Sequence, residues 1–457
     1  MLQLPVELKR LCISFLDNIT DDIEETVDTL KQLRLVNRDI GVIATEFLFS
    51  TAVLRSFDRS ANAFQELVQS TFSHLVRRVV IYTDTFEDDP QDESVLLESF
   101  AGAVSTLSGL ENLQELHLKF AVECAAEPDS GFGGGYFNDV CETPEYRSAV
   151  LKVIFEALKG VSTLRVLSIR NLQDHMDRQI LDSDAFRSIR SRLTSLHLQI
   201  ATEEREQHEL DCAAIHQGFT VDLPELWLNP TAPHLTHLTL YCYSAMWGLY
   251  PFVDFRQVQT FPCLESLSFG NWTIAHDWQI DWIVSHGATL KQLLLDDCPI
   301  VVALRMAGDD DMVQLNFPGL QPVPGDEWAP YFTLVPLRWH DVFERFRSSL
   351  HHLEHFAMYG TGRNHDWSED TFEHRYSLEN SLRANRYHTF NRGSVPHWKD
   401  WEDPIRPHNM YHEFFHSRPD HPDPKNRRVE YPECLDEDLE ALCKLMEVVR
   451  MRGRNVM

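Results

Sequence analysis

The sequence predicts an α/β protein: a short N-terminal helical module, then an irregular array of strand-bearing repeats, then a helix that caps the array. Three observations predict this. Apolar residues recur at three- and four-residue steps from Leu4 to Leu16 and again from Leu30 to Leu48. The phrase L-x-x-L-x-L then returns seven times. The closing stretch DEDLEALCKLMEVVRMRG is once more helical in period.

The first helix starts at LPVEL. Pro5 suits a first helical position, where its missing N–H has no intrahelical partner, and Glu7 places a carboxylate at the positive end of the helix. An acidic linker, DNITDDIEETVD, leads to a second run in which Leu30, Leu33, Val36, Ile40, Ile43, Phe47 and Leu48 keep the helical period. Two or three short amphipathic helices follow from this pattern.

The repeated phrase reads LQELHL at Leu113, LRVLSI at Leu164, LTSLHL at Leu193, LTHLTL at Leu235, LESLSF at Leu264, LKQLLL at Leu290 and LEHFAM at Leu353, with VRRVVI at Val76 as an earlier copy. Apolar residues two apart point to one face of a strand, so each strand needs neighbours to cover it. This is the leucine-rich-repeat signature, and LKQLLLDDCPI fits its full form. Leu164 to Leu193, Leu235 to Leu264 and Leu264 to Leu290 are spaced near the usual repeat length. Leu113 to Leu164 and Leu290 to Leu353 are not. The array is therefore expected to be an irregular solenoid with insertions.

Side-chain alternation sends two columns away from the leucines. The first reads His117, Ser168, His197, Thr239, Ser268, Leu294 and Ala357. The second reads Lys119, Arg170, Gln199, Tyr241, Gly270, Asp296 and Tyr359. Tyr and Arg dominate binding hot spots, which makes Arg170, Tyr241 and Tyr359 the candidate target-binding residues. The segment 361–433 shifts to Trp, His, Tyr, Pro and Arg. In the last helix Leu435, Leu439, Leu442, Met446 and Val449 form the expected inward stripe. The expected units are 1–55, 56–360, the aromatic and His-rich extension 361–433, and the closing helix 434–457.

The formal net charge of -29 disfavours a nucleic-acid partner, which is held chiefly by clustered Lys and Arg. Nine cysteines without a C-x-x-C pair read as reduced thiols. Charges at Glu7, Lys9 and Arg10 break any secretory h-region, and no run approaches the roughly 20 apolar residues of a membrane helix. A cytoplasmic or nuclear chain without a membrane partner is expected. The HHLEH run at His351 to His355 lacks H-E-x-x-H order and coincides with a repeat strand, so no metal, cofactor or catalytic residue is assigned.

Leu4-Pro5, Glu7-Leu8, Cys12-Ile13, Phe15-Leu16 and the later Leu33-Arg34-Leu35-Val36-Asn37-Arg38 stand in the order of an F-box, and residues 1–55 resemble that module. The linker is longer and more acidic than usual, and Asn37 stands where the family often has Cys. Together with the repeats, the chain resembles the F-box and leucine-rich-repeat proteins abundant in filamentous fungi. The resemblance implies a non-catalytic substrate adaptor of an SCF-type ubiquitin ligase. Leu4, Pro5, Leu8, Cys12, Ile13, Leu16, Leu33 and Val36 would dock on a Skp-type adaptor and through it a cullin, while the repeats hold a target protein. The alternatives are a non-ligase F-box scaffold and an enzyme built on the His-rich 361–433 segment.

Overall fold

The computed structural model of the chain describes residues 4–15, 23–83, 96–122, 124, 142–202, 217–242, 247–306, 321–322, 331–359, 372, 375–378, 380, 382, 386–391 and 432–454. Its strands are β1 (Thr51–Arg55), β2 (Arg78–Tyr82), β3 (Glu115–Lys119), β4 (Val166–Gln173), β5 (Ser195–Ala201), β6 (His237–Cys242), β7 (Ser266–Gly270), β8 (Gln292–Asp296), β9 (Ile300–Met306), β10 (Gln321–Pro322), β11 (Tyr331–Leu334), β12 (His355–Tyr359) and β13 (Tyr387–Asn391). The helices are α1 (Val6–Ser14), α2 (Ile23–Leu33), α3 (Arg38–Leu48), α4 (Asp58–Gln69), α5 (Glu98–Ser105), α6 (Pro144–Leu158), α7 (Arg178–Leu181), α8 (Asp184–Arg190), α9 (Asp277–Val284), α10 (Trp339–Ser349) and α11 (Leu435–Arg454).

The protein is mixed α/β, and its main body is a nine-stranded parallel sheet in the order β1-β2-β3-β4-β5-β6-β7-β8-β12. Each strand is laid beside the one before it, and all seven L-x-x-L-x-L phrases lie on these strands. Leu116, Leu167, Leu196, Leu238, Leu267, Leu293 and Phe356 pair in register across the sheet, as do Leu118, Ile169, Leu198, Leu240, Phe269, Leu295 and Met358. Nearly all are fully buried, and so is every leading leucine from Leu113 to Leu353. The polar position after the leading leucine has its own use. Gln114, Arg165, Thr194, Thr236, Glu265, Lys291 and Glu354 each donate a backbone N–H to the corresponding carbonyl of the preceding copy at 2.7–2.9 Å. This ladder satisfies the incoming turns, so unequal insertions can be carried without leaving buried donors unpaired.

Asn and Asp shape the bends of the sheet, Asn171 at the register shift inside β4 and Asn271 and Asp297 just after β7 and β8. Asn171, Asn271 and Asp297 all have positive φ, a conformation that Asn and Asp tolerate best among residues with a Cβ. The Asn171 and Asn271 amides donate to the Phe120 and Cys242 carbonyls of the preceding strands, at 2.9 and 2.8 Å. At the same end, buried Arg147 pairs with Glu142 at 3.0 Å and donates to the carbonyls of Ala121 and Asn171. One guanidinium thus ties the end of β3 and the bend in β4 to α6.

The other core layer is helical over α4, α5, α6 and α8, which pack side by side. It becomes aromatic further on, where Trp247, Phe255, Phe261, Phe269, Trp272 and, from α9, Trp282 form a buried cluster, and Phe219 of the wide helical stretch Gly218–Leu228 packs on Trp247. Gly218 is required there, because an added Cβ would lie 2.0 Å from the Asp174 carbonyl oxygen. A second sheet, β10-β11-β9-β13, takes one strand from the 361–433 segment.

The helices α1, α2 and α3 have a core of their own. Ile13, Leu30, Ile40, Ile43 and Ala44 are buried together, with Leu33, Phe47 and Leu48 packed against them, and this cluster is separate from the main one. Asn37 caps α3 by accepting the Ile40 N–H at 3.0 Å. The sheet begins at Thr51, inside the segment that the sequence assigned to the helical module.

Candidate interaction surfaces

The N-terminal module presents apolar side chains to solvent. Leu4, Leu8 and Val36 are 37%, 44% and 57% exposed, and Pro5 and Cys12 are exposed as well. Ile13 corrects the expectation. It is only 4% exposed and, with Lys9, forms the inner face of α1, so it holds the module together and is not available for docking. Leu33 is half-buried for the same reason. Leu16 lies outside the described residues. The rest of the patch comes from residues not selected from the sequence: Val6, Leu11, Phe15, Leu35 and Val42, of which Leu35 is 81% exposed. Eight of the fourteen large apolar side chains exposed among the described residues belong to residues 4–42. The signal was present in sequence, because α1 carries apolar residues on more of its circumference than one buried face needs.

The second surface is the sheet face opposite the leucines. Register places its columns as the alternation argument requires. His117, Ser168, His197, Thr239, Ser268, Leu294 and Ala357 lie side by side, and Gln199, Tyr241, Gly270, Asp296 and Tyr359 do likewise. The face is not uniformly open. Ser168, His197, Thr239 and Ser268 are buried, and His197 Nδ1 lies 2.9 Å from the Thr239 hydroxyl. Burial, with the Arg375 charge nearby, holds the His197 pKa well below its usual value, so the ring is neutral.

Tyr241 is the second correction. Its side chain is 2% exposed because the ring lies across Gly270, where an added Cβ would come within 2.2 Å of it, and Phe372 packs edge-on at 5.5 Å. Tyr241 is therefore not a free binding residue. Buried Phe372 and Arg375, from the aromatic segment, cover this part of the face, and Asn380 bonds the backbone of Phe356 and Met358 on β12. Arg170 is half-exposed and donates to Gln199 Oε1 at 3.2 Å. Tyr359 is in register with Asp296, but its side chain lies outside the described residues.

One group of potential metal ligands occurs among the described residues: His340, Cys434 and Asp438, with donor atoms within 4.8 Å of one another. The carboxylate is already engaged. Asp438 accepts the His340 backbone N–H at 3.0 Å, Arg386 Nε at 2.8 Å and the Tyr387 hydroxyl at 2.9 Å, and it lies 3.0 Å from His340 Nδ1. Burial raises the Cys434 pKa, which favours the thiol over the thiolate that a metal needs. The arrangement fits a hydrogen-bonded fastening better than a metal centre. Its members are scattered along the chain and left no local motif to read. His351 lies in an exposed turn and His355 begins β12, so the HHLEH run is a turn and strand.

No protein-family model matches the chain. A partial likeness exists to the cytokine receptor common subunit gamma of Bos taurus, 36% identical over 64 residues. It covers 12% of this chain, and the chain spans 17% of that protein's length. A likeness of that extent places the chain in no family. Among the described residues no helix is long and apolar enough to cross a membrane.

Proposed function

We propose that the chain is the substrate-recognition adaptor of an SCF-type ubiquitin ligase: an F-box over residues 1–55 docks on a Skp-type adaptor, and an irregular leucine-rich-repeat solenoid capped by α11 holds a target protein. The observation that carries the reading is the exposed apolar patch on a helical module that already has a closed core. Leu8, Leu11, Phe15, Leu35 and Val36 contribute nothing to that core, and an apolar patch exposed at this density marks an interaction site. The strand-by-strand register of the L-x-x-L-x-L phrases supports the repeat assignment. No reacting group is required of the chain, because proximity and orientation of target and ubiquitin donor supply the rate.

The test is capture of a Skp adaptor by the full chain. Replacing Leu8, Leu11 and Phe15 with Ser, or Leu4 and Pro5 with Ala, should abolish or weaken capture while the thermal unfolding of the sheet stays in place. Undiminished capture by both variants would sink the assignment. A cullin that co-purifies with the captured adaptor distinguishes a ligase subunit from a non-ligase scaffold.

A further inference from the structure

The helical module meets the sheet body at a groove of about 550 Å³. One wall is α3 with the turn before it, which contribute Arg34, Arg38 and Val42, and the other is the stretch around the short turn Ser73–Leu75 before β2, which contributes Thr71, Phe72 and His74. Phe72 stacks on Phe49 with ring centroids 4.4 Å apart, and the Arg34 guanidinium stands 5.8 Å from the Phe49 centroid. Gly41 permits this close approach, because an added Cβ would lie 2.9 Å from the Arg34 carbonyl oxygen.

Charge is sorted across α3. Its acids are taken by the bases of α1, Asp39 by Lys9 at 3.3 Å and Glu46 by Arg10 at 2.5 Å. Glu46 is the one acid that lines the groove, and that pairing occupies it. Arg34 and Arg38 are exposed, and neither meets a carboxylate among the described residues. Arg34 has the Phe49 ring, and Arg38 makes no hydrogen bond or ion pair there. Scarcity of acid does not explain this in a chain with 70 Asp and Glu against 41 Lys and Arg. Beside these cations lies open apolar surface, since Phe72 and Val42 are 36% and 55% exposed. A guanidinium takes a carboxylate through two parallel N–H bonds and is more weakly hydrated than an ammonium, so it is covered by a partner at lower cost. Two such groups beside an exposed ring fit an extended segment that carries both carboxylates and an apolar side chain.

We propose that the groove between α3 and the Ser73–Leu75 turn is a docking site for an acidic peptide segment of a partner protein, with its carboxylates on Arg34 and Arg38 and an aromatic or aliphatic side chain against Phe72 and Val42. The inference goes beyond the proposed function, because it does not use the α1 residues Leu8, Leu11 and Phe15.

The experiment measures binding of the full chain to a labelled peptide of Glu interspersed with Phe and Leu, to its counterpart with Gln for Glu, and to a peptide of Glu and Gly without apolar residues. The first should bind, both controls should bind at least roughly tenfold more weakly, and affinity for the first should fall with salt. Arg38→Glu should weaken it by roughly tenfold or more without lowering the unfolding transition, because a carboxylate is favourable at the start of a helix and Arg38 gives up no contact. Arg34→Gln with Arg38→Gln should weaken it similarly and flatten its salt dependence. Replacing Leu8, Leu11 and Phe15 with Ser should leave peptide affinity unchanged, so the adaptor reading and this one fail separately. The proposal is overturned if the Gln counterpart binds as well as the acidic peptide, or if the Arg variants bind as well as the parent. Equal, variant-sensitive binding of a single-stranded oligonucleotide would instead show an unselective polyanion surface. Binding that emerges only after Asp17, Asp21 and Asp22 are changed to Asn would assign the groove to the chain's own acidic linker.

Discussion

The two ends of the molecule are both helical and amphipathic, yet they use their apolar residues in opposite ways. The C-terminal α11 buries Leu442, Leu445 and Val449 against α10 and β12, while α1 turns Leu8, Leu11 and Phe15 to solvent. What α11 covers, it also caps. Asp438 brings a carboxylate to the first turn of α10, where Arg338 provides no side-chain cap, and Arg452 donates to the Leu350 carbonyl at its other end at 2.6 Å. Negative charge at the N-terminus and positive charge at the C-terminus complement the dipole of the covered helix. Helix α3 covers only the Ile13 side of α1, and among the described residues Leu8 and Leu11 remain exposed. Amphipathic periodicity announces that a face will be covered, and it does not say whether the cover comes from the same chain.

The comparison breaks most sharply at Asp438. Replacing it with Ala removes the carboxylate that Arg386, Tyr387 and the His340 N–H share and uncaps α10, and we expect a loss of about 3–5 kcal/mol in denaturant unfolding. A loss under a third of that would mean the fastening is incidental. Leu445→Ala should cost about 2–5 kcal/mol, since its side chain is fully buried. The matched change on the other end, Leu11→Ser, should stay within about 0.5 kcal/mol in the isolated chain, because the residue is half exposed. A large cost at Leu11 would show that its face is covered in the free protein.

Acid should separate the two regions further. Burial lowers the pKa of His286 to about 4, and the neutral ring accepts the Phe261 N–H while facing the Ile283 carbonyl through Nδ1. His276 is likewise lowered to about 4 by burial. Since the unfolded chain protonates these rings near 6.5 and the folded chain does not, their stabilisation is present above 6.5 and is lost as pH falls towards 4. Residues 1–50 contain no histidine. Lowering pH from 6.5 to 4 should therefore weaken the sheet body through this route and leave the helical module untouched by it. A His286→Gln variant should flatten part of that slope, and an unchanged slope would remove His286 from the account. The smallest effect concerns metal. Purified protein should hold no stoichiometric zinc, and neither His340→Ala nor the pair His351→Ala and His355→Ala should change its metal content; zinc lost in the first would reassign the Asp438 cluster.

Much of the sheet was legible because its rule is local. L-x-x-L-x-L fixes which residues face the core, and the columns from His117 to Ala357 fell into register as alternation requires. The capping stripe was less so. Leu435 and Leu439 are 47% and 41% exposed, and the inward face is Asp438, Leu442, Leu445 and Val449. The buried acid breaks the apolar pattern, and it is tolerated only because Arg386, Tyr387 and His340 converge on it.

By itself the sequence determined periods: helical at both ends, alternating between them, with a leucine at every copy and Asn or Asp at several bends of the sheet. Those follow from backbone geometry and the need to bury apolar area, which act over a few residues. Only the tertiary structure decided which faces remain open. Ile13 turned inward because Leu30, Ile40 and Ile43 stand opposite it, and Tyr241 was closed off because Gly270 leaves room for its ring and Phe372 arrives from far along the chain. Exposure is a property of what packs against a residue, and those neighbours are set by the path of the whole chain.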